Sequence, residues 1–380
     1  MIVLDKSLRN PFLVEGYAGP DYFCDRKKEA EMLKSALLNG RNVTLMAPRR
    51  MGKSGLIKHV FYEIQRADSN AACFYLDVLA TKNMTDFVRL FAETLLGGLE
   101  SLSDTVLKKL MRVFGSLRPT LKFDAVTGSP ALSLELSQAE SPATLEKVFS
   151  YLQQSKKEVF IAIDEFQQVV RYPEGNTPEA LLRACMQSFP GIHFIFSGSS
   201  MKMMGEMFLA SSRPFYQSTQ MMQLGCIDHA EYRIFAAQFF QKAGRAFSDA
   251  VFDALYDRFE GHTWYIQMVL NRLYSTETDV TQVQQMLEVI GEVLQENRLY
   301  YSGISRLLTN NQYAVLQAVA KEGVVREPQG AAFIVRHGLP AASSVSASIR
   351  SLVDNELLRC DEDGAYRVYD RFFGLWLATI

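Results

Sequence analysis

The sequence is short of the features that mark secreted, membrane-spanning and nucleic-acid-coating proteins. Its five cysteines are scattered and never form a C-x-x-C pair, so neither a disulfide framework nor a cysteine-based zinc site is expected. No run of about 18 apolar residues occurs, and the first residues lack the apolar core of a signal peptide. A net charge of −2 excludes a protein that coats nucleic acid by bulk positive charge. These absences predict a reduced, soluble, cytoplasmic protein that does not associate with membranes.

One loop carries the strongest positive signal in the chain. It reads Ala47-Pro-Arg-Arg-Met-Gly-Lys-Ser54 and lies between a predicted strand and a predicted helix that begins at Gly52. In this setting the loop amides and the helix N-terminus bind a phosphate, Lys53 reaches the β and γ phosphate oxygens, and the Ser54 hydroxyl ligates Mg²⁺. Ala47 stands where the usual pattern has its first glycine, and alanine is small enough to turn there with a negative φ. The loop therefore predicts a site for ATP and Mg²⁺.

Two long cations, Arg49 and Arg50, lie inside this loop. Such side chains can touch phosphates, reach a neighbouring subunit or pair with acids in the fold, and the sequence does not decide among these roles. The residues of the loop predicted to contact the nucleotide are Pro48, Arg49, Arg50, Met51, Gly52, Lys53, Ser54 and Gly55.

A second motif places two acids at the end of a buried strand. Val159–Ile163 is apolar without alternation, as in a parallel strand buried on both faces, and Asp164 and Glu165 follow it. Ligands gather at the carboxyl ends of such strands. Asp164 would hold the water shell of Mg²⁺, and Glu165 would orient and deprotonate the attacking water. The alternative, two surface acids that merely end a strand, is less favoured because a phosphate loop precedes them.

Strands and helices alternate over the first half of the chain, which predicts an α/β fold with a parallel sheet and helices on both faces. Strands are expected at Asn42–Met46, Ala72–Asp77, Val159–Ile163 and Ile192–Ser197, with a β-hairpin or an excursion of the chain within Leu121–Glu140. Helices are expected at Arg26–Asn39 with Asp25 as its cap, from Gly52, within Met84–Leu117, from Ser141 and over Pro178–Phe189.

The rest of the chain changes character twice. After about Gly225 helices are expected over 228–244, from Ser248, and over Thr263–Tyr274 and Val280–Tyr301, which form a lid. Helices at Thr309–Lys321, Gly330–Arg336 and Ala342–Leu358, followed by a hairpin turn at Asp361–Gly364, predict a winged helix-turn-helix. The predicted segments are an N-terminal strap (1–24), a P-loop ATPase core (25–224), a helical lid subdomain (225–301) and a winged-helix domain (302–380).

Short motifs along nearly the whole chain carry a family resemblance. They are Asn10-Pro-Phe12, Tyr22-Phe23 with Asp25-Arg26, the loop from Pro48 to Ser54, Ile163-Asp-Glu-Phe-Gln167, Phe196-Ser-Gly-Ser199, and Tyr369-Asp-Arg-Phe-Phe with Trp376. With these blocks in order, the chain resembles the archaeal-type STAND ATPases, P-loop proteins related to the AAA+ group. The resemblance implies that Arg26 and Glu29 lie near the adenine side of the pocket, although both also suit a solvated first helical turn. It further implies that Ser197 or Ser199 is the sensor hydroxyl near the γ-phosphate.

Two departures from the family pattern concern catalysis. The family usually has an arginine at the end of a Pro-Leu-Tyr-Gly-Arg stretch, whereas this chain has Pro214-Phe-Tyr-Gln-Ser218. Arg213 is either a substitute for that arginine or an exposed loop residue. The usual Gly-Gly-x-Pro of the lid is Glu260-Gly-His-Thr-Trp264 here, so His262 is either a sensor over the nucleotide or a helix-capping residue. The missing arginine predicts slow hydrolysis.

The predicted winged-helix domain has no net charge. From Ser305 to Ile380 there are eight Arg and Lys and eight Asp and Glu. The helix Ala342–Leu358 has Arg350 as its one cation, and the acidic turn Asp361–Asp363 would repel a phosphate backbone. A protein partner, which includes the chain's own ATPase core, is therefore favoured over DNA, although winged helices often bind DNA.

Two functions remain open from the sequence. The first is an ATP-binding, Mg²⁺-dependent regulatory switch of the STAND type that hydrolyses ATP slowly and couples its nucleotide state to the winged helix. The second is a DNA-binding, nucleotide-responsive regulator with little or no hydrolysis. Intact Lys53, Ser54, Asp164 and Glu165 favour the first, because a protein that only binds nucleotide has no need of a base.

Overall fold

Strands and helices alternate up to the last strand of the central sheet. The computed structural model describes residues 8–99, 103–114, 119–123, 130–361 and 363–379. Its strands are β1 (Val43–Met46), β2 (Ala71–Asp77), β3 (Thr120–Phe123), β4 (Pro130–Ser133), β5 (Glu158–Asp164), β6 (Ile192–Gly198), β7 (Gln220–Gln223), β8 (Leu358–Cys360) and β9 (Tyr366–Val368). Its helices are α1 (Lys27–Leu38), α2 (Lys53–Ala67), α3 (Met84–Leu99), α4 (Asp104–Val113), α5 (Ser141–Gln154), α6 (Thr177–Ser188), α7 (Met201–Leu209), α8 (His229–Lys242), α9 (Asp249–Phe259), α10 (Thr263–Ser275), α11 (Val283–Glu296), α12 (Arg298–Arg306), α13 (Asn310–Glu322), α14 (Ala331–His337), α15 (Ala342–Asp354) and α16 (Arg371–Thr379).

The chain forms two units, each of which packs within itself. The first unit comprises Met1–Phe235 and His262–Trp264, and the second comprises Ala236–Gly261 and Tyr265–Ile380. The chain therefore passes between the units inside α8 and again close to the start of α10. The segment boundaries expected from the sequence stay predictions, and residues 1–7 of the expected strap lie outside the described part.

The central sheet belongs to the first unit, and its strands run parallel in the order β2-β5-β6-β1-β7. Residues 159–164 of β5 are all buried, because apolar helices cover both faces of the sheet. Since β6 lies between β1 and β5, the carboxyl ends of these three strands meet at one edge. The sequence did not predict β7, which is short and carries a glutamine at each end.

Helix α2 follows the loop after β1 and buries one apolar face. The buried face consists of Leu56, Ile57, Val60, Phe61 and Ile64, as the sequence predicts. Helix α1 begins differently from its prediction, because its N-cap is Arg26 rather than Asp25. Both Asp25 and Arg26 have left-handed backbone, with φ of 47° and 64°, so the chain turns sharply there and brings Arg26 inward.

The other face of the sheet carries α3 and α5 together with a hairpin. Strands β3 and β4 pair antiparallel, which confirms the predicted hairpin, and its turn at residues 124–129 lies outside the described part. The helical stretch predicted up to Leu117 appears as α3 and α4, and residues 100–102 and 115–118 lie outside the described part. Among the described residues, no helix combines the length and the apolar character that a membrane crossing needs.

The second unit ends in the predicted winged helix. Helices α13, α14 and α15 are followed by the antiparallel pair β8–β9, and Val325 forms an isolated antiparallel bridge with Tyr366. The helix predicted at Val280–Tyr301 is divided at Asn297 into α11 and α12, and the one predicted to reach Leu358 ends at Asp354. Helix α16 was not predicted, and Glu362 of the acidic turn lies outside the described residues.

Candidate functional site

The loop between β1 and α2 folds around the side chain of Lys53. Arg50 and Gly52 have φ of 66° and 93°, and this left-handed backbone is freely available to glycine. Lys53 Nζ donates hydrogen bonds to the carbonyl oxygens of Ala47 at 2.8 Å and Pro48 at 3.1 Å. Burial lowers the pKa of Lys53, while the charges of Glu165 and Asp164 act in the opposite direction. The ammonium group therefore lies inside the loop and faces the acid pair.

Asp164, the last residue of β5, receives three hydrogen-bond donors. Ser54 Oγ donates to Asp164 Oδ2 at 2.7 Å, the Tyr75 hydroxyl donates to the same oxygen, and Glu165 N donates to Oδ1 at 3.0 Å. Burial alone would raise the pKa of Asp164, but the hydrogen bonds from Tyr75 and Ser54, the nearby Ser197 hydroxyl and the charge of Lys53 lower it. The carboxyl group is therefore ionised at neutral pH.

The pair Ser54 and Asp164 suits a hard cation such as Mg²⁺. Both side chains supply oxygen atoms, the Asp164 carboxylate is ionised, and Ser54 Oγ lies 2.7 Å from Asp164 Oδ2. Among the described residues, no three His, Cys, Asp or Glu side chains are placed to hold a metal ion by themselves. A magnesium ion here would therefore take its other ligands from phosphate and water, as Mg²⁺ commonly does.

Glu165 is held by two polar neighbours. Its backbone is left-handed, with φ of 54°. Its Oε2 accepts hydrogen bonds from Ser199 Oγ at 2.6 Å and from Gln167 Nε2, and Gln167 Nε2 also lies 3.3 Å from Ser199 Oγ. Of the two serines at the end of β6, Ser199 thus contacts Glu165. Ser197 is fully buried and makes no hydrogen bond of normal geometry in the described part, although its closeness helps to lower the pKa of Asp164.

Gly198 separates these serines and leaves no room for a side chain. A Cβ atom at this position would lie 2.5 Å from Gln167 Oε1 and 2.5 Å from the Met204 side chain. The close approach keeps the Gln167 amide beside Glu165.

Arg26 is tied to the loop by its guanidinium group. It donates to the carbonyl oxygens of Met51 at 3.1 Å and Gly225 at 2.7 Å, and to Glu29 Oε1 at 3.1 Å. Only 3% of its side chain is exposed. Arg26 is therefore not part of a solvated helical turn, and its position supports the shape of the loop.

The segment His262–Trp264 also packs on the loop. Trp264 N donates to the Arg50 carbonyl at 3.1 Å, and Thr263 Oγ1 lies 3.5 Å from the Met51 carbonyl. The Arg50 guanidinium lies over the Trp264 ring, 3.9 Å from its centroid, in a cation–π contact. His262 is buried in this segment, whereas Arg49 is exposed. Arg50 thus packs against an aromatic ring of its own unit.

Arg213 lies elsewhere, in a pair with a buried acid. Its guanidinium donates to the Glu179 carboxylate and to Asn176 Oδ1 at 2.7 Å. Glu179 is completely buried, and its burial raises its pKa to about 6 against the lowering effect of Arg213. Arg213 is therefore paired within the first unit and is not a loosely exposed loop residue. Ser218 Oγ donates to the carbonyl of Phe215 at 2.7 Å.

The structure thus brings together most of the predicted site residues. Lys53, Ser54, Asp164, Glu165, Ser197 and Ser199 converge at the carboxyl edge of the sheet, and Arg26 and the segment His262–Trp264 adjoin the loop that contains Arg50. Sequence reasoning missed Tyr75 and Gln167 as members of this site. The signal for Gln167 was its place in the Asp-Glu-Phe-Gln motif, and the signal for Tyr75 was its place near the end of a predicted strand.

A separate ionic cluster, which we call the Glu260 clasp, lies in the second unit. Glu260 Oε2 pairs with Arg371 at 2.6 Å, its Oε1 pairs with Arg367, and Arg367 Nε pairs with Asp361 at 2.6 Å. Burial would raise the pKa of Glu260, but Arg371 and Arg367 lower it. The backbone N–H of Arg371 also donates to the Tyr265 hydroxyl at 3.1 Å. The end of α9 and the start of α10 are thus bonded to the wing and to α16.

Two family models match the sequence. The model of an ATPase domain predominantly from Archaea matches residues 23–269, and a model described as a probable winged helix domain matches residues 299–379. No curated protein sequence matches the chain.

Solved structures share the fold at low sequence identity. The Walker-type ATPase PABY2304 of Pyrococcus abyssi is 16% identical, with a TM-score of 0.66 over 97% of this chain and 99% of that one. The ORC2 protein of Aeropyrum pernix, solved as ADPNP-ADP complexes, is 14% identical, with a TM-score of 0.61 over 98% and 96%. The ORC1 protein of Aeropyrum pernix, solved with DNA, is 14% identical, with a TM-score of 0.56 over 98% and 96%.

Proposed function

Because this chain belongs to the family of ATPase domains found predominantly in Archaea, we propose that it binds ATP with Mg²⁺, hydrolyses it slowly and couples its nucleotide state to the winged helix. The chain is an archaeal-type P-loop ATPase with a winged helix domain. The finer proposal is a regulatory switch of the STAND type.

The contact between Ser54 and Asp164 carries the proposal of a Mg²⁺-dependent site. Lys53 and the amides of its loop would bind the phosphates, and Ser54 with Asp164 would hold the ion. When bound, Mg²⁺ supplies charge neutralisation and orients the phosphate oxygens. Glu165 would take the proton of the attacking water, for which it lies beside Asp164 at the same sheet edge.

Three observations support slow hydrolysis. The family arginine is replaced by Ser218, whose hydroxyl bonds to a nearby carbonyl. Arg213 is engaged by Glu179 and Asn176 and does not replace it. Glu165 Oε2 accepts hydrogen bonds from Ser199 and Gln167, which restrain the side chain from turning toward a water. An arginine that stabilises the transition state is worth about 10³ to 10⁵ in rate, so its absence predicts slow turnover.

The coupling to the winged helix is proposed from one short stretch of chain. Residues 262–264 bind the phosphate loop within the first unit, through Thr263 and Trp264. Their neighbours Glu260 and Tyr265 bind the wing and α16 within the second unit. A shift of the loop on nucleotide binding would therefore reach the winged helix along the backbone, without a separate relay.

DNA is the second candidate partner, because the similar ORC1 protein was solved in complex with DNA. Against it, five of the eight cations of the winged helix domain form ion pairs within the second unit: Arg326, Arg336, Arg359, Arg367 and Arg371. Cations that are already paired contribute less to phosphate binding. A protein partner or the chain's own ATPase core is therefore the favoured target, and binding to random duplex DNA at physiological salt is expected to be micromolar or weaker.

The proposal is tested by calorimetry and ATPase assays on the full chain. Lys53→Ala should weaken ATP binding at least about tenfold, or 1.4 kcal/mol, while Glu165→Gln should bind ATP normally and hydrolyse it about 10² times more slowly. Unchanged ATP affinity in folded Lys53→Ala would refute the site, and an unchanged rate in Glu165→Gln would refute the role of the base. Tight, steeply salt-dependent DNA binding that Arg350→Ala abolishes would favour the second candidate.

A further inference from the structure

Tyr75 brings a phenol to the acid pair from the neighbouring strand. In the parallel register of β2 and β5, Tyr75 lies opposite Ala162 and Asp77 lies opposite Asp164. The Tyr75 hydroxyl donates to Asp164 Oδ2, which is also the oxygen that accepts the Ser54 hydroxyl. One carboxylate oxygen is thus held by two O–H donors from two different elements.

The Tyr75 ring is itself held in place by helix α2. Lys58 Nζ lies 4.8 Å from the ring centroid, in a cation–π contact. Lys58 is one helical turn after Ser54, so the helix that supplies the serine also supports the tyrosine. Tyr75 therefore connects β2, the end of β5 and the first two turns of α2.

We propose that Tyr75 is a positioning residue for the metal-binding pair Ser54 and Asp164, an inference that rests on the proposed function. Its hydroxyl fixes the rotamer of the Asp164 carboxylate. In that rotamer Ser54 Oγ donates its hydrogen bond to Oδ2, and the lone pairs of Ser54 Oγ stay available to a cation. Partners that orient metal ligands in this way typically change metal affinity by about 10- to 100-fold.

The test uses Tyr75→Phe, which keeps the ring and its contact with Lys58 but removes the hydroxyl. ATP affinity is measured by calorimetry with the metal chelated and across a titration of Mg²⁺. When the metal is chelated, the ATP affinities of the variant and the wild type should agree within about twofold, because Lys53 and the loop amides are unaltered. With Mg²⁺, the concentration giving half of the gain in affinity should rise about tenfold.

Tyr172→Phe is the matched control. It also removes a phenol hydroxyl that is hydrogen-bonded within the first unit, to Thr81, but away from the acid pair. It should lower the melting temperature without moving the Mg²⁺ midpoint. A midpoint that shifts equally in both variants would overturn the inference, because the effect would then reflect a general loss of stability.

A double-mutant cycle separates positioning from a direct contact with the ligand. In Asp164→Asn the carboxylate that Tyr75 orients is gone, so adding Tyr75→Phe should change the Mg²⁺ midpoint by less than about twofold. If the tenfold shift persists in that background, Tyr75 does not act through Asp164. If the wild type binds no ATP, the proposed function fails. If it binds with Mg²⁺ and Tyr75→Phe matches it, the Tyr75 inference alone fails.

Discussion

Ser199 donates a hydrogen bond of 2.6 Å to Glu165, the residue proposed to activate water. The same carboxylate oxygen accepts the Gln167 amide, so the base is held by two donors on the side of β6. These two hydrogen bonds restrain the Glu165 side chain.

Ser199→Ala should therefore accelerate hydrolysis without changing ATP affinity. Removing one hydrogen bond worth about 1 kcal/mol would raise kcat about fivefold. The measurement is steady-state turnover with Mg²⁺ and ATP, and Ser200→Ala is the control, since Ser200 caps α7 instead. A loss of more than tenfold in Ser199→Ala would contradict the restraint and give Ser199 the role of the γ-phosphate sensor.

The Glu260 clasp should restrain ATP turnover. Glu260→Gln removes the charge that holds Arg367 and Arg371. The winged helix would then no longer be bonded to the end of α9, and we expect the rate of ATP hydrolysis to rise about twofold or more. Deletion of the residues after about Tyr301 should raise the rate in the same way. Glu296→Gln is the matched control, because Glu296 forms a two-point pair with Arg272 in the same unit, at 2.8 and 2.6 Å. Equal rates in the wild type and in both variants would show that the clasp only supports the fold.

The Arg213–Glu179 pair should leave a signature in stability against pH. The pKa of folded Glu179 is raised to about 6 from 4.5, so the folded state binds this proton more tightly than the unfolded state. The contribution of Glu179 to stability is therefore greatest below pH 4.5 and falls as the pH rises to about 6. Relative to Glu179→Gln, the wild type should lose on the order of 1 kcal/mol of unfolding free energy over this window. Denaturant unfolding of both proteins at several pH values measures this loss. Parallel curves of unfolding free energy against pH for the wild type and Glu179→Gln would refute the prediction.

The parts of the site that the sequence predicts are those set by local pattern. The strand–loop–helix around Lys53 and the acid pair after Val159–Ile163 follow from spacing and apolar runs, and the structure has them there. Tyr75 could not be found in this way, because it reaches Asp164 across 89 residues through the register of two parallel strands. The partner of Arg213 was hidden for the same reason, since Glu179 is 34 residues away on another element. Arg26 lies at the predicted helix start, but its burial could not be predicted because nothing local shows that two left-handed residues turn it inward.

The tight packing at Gly198 means that the size of the residue at this position can change the hydrogen bonding of Glu165, the proposed base. A methyl group would meet Gln167 Oε1 and the Cγ and Sδ atoms of the buried Met204, so Gly198→Ala would force both side chains to shift. The Gln167 amide could not stay where it is, and Glu165 would lose a neighbour although neither residue had been altered. The Ser-Gly-Ser sequence is in this sense a spacer, because the missing side chain at its middle position leaves room for the Gln167 amide beside Glu165.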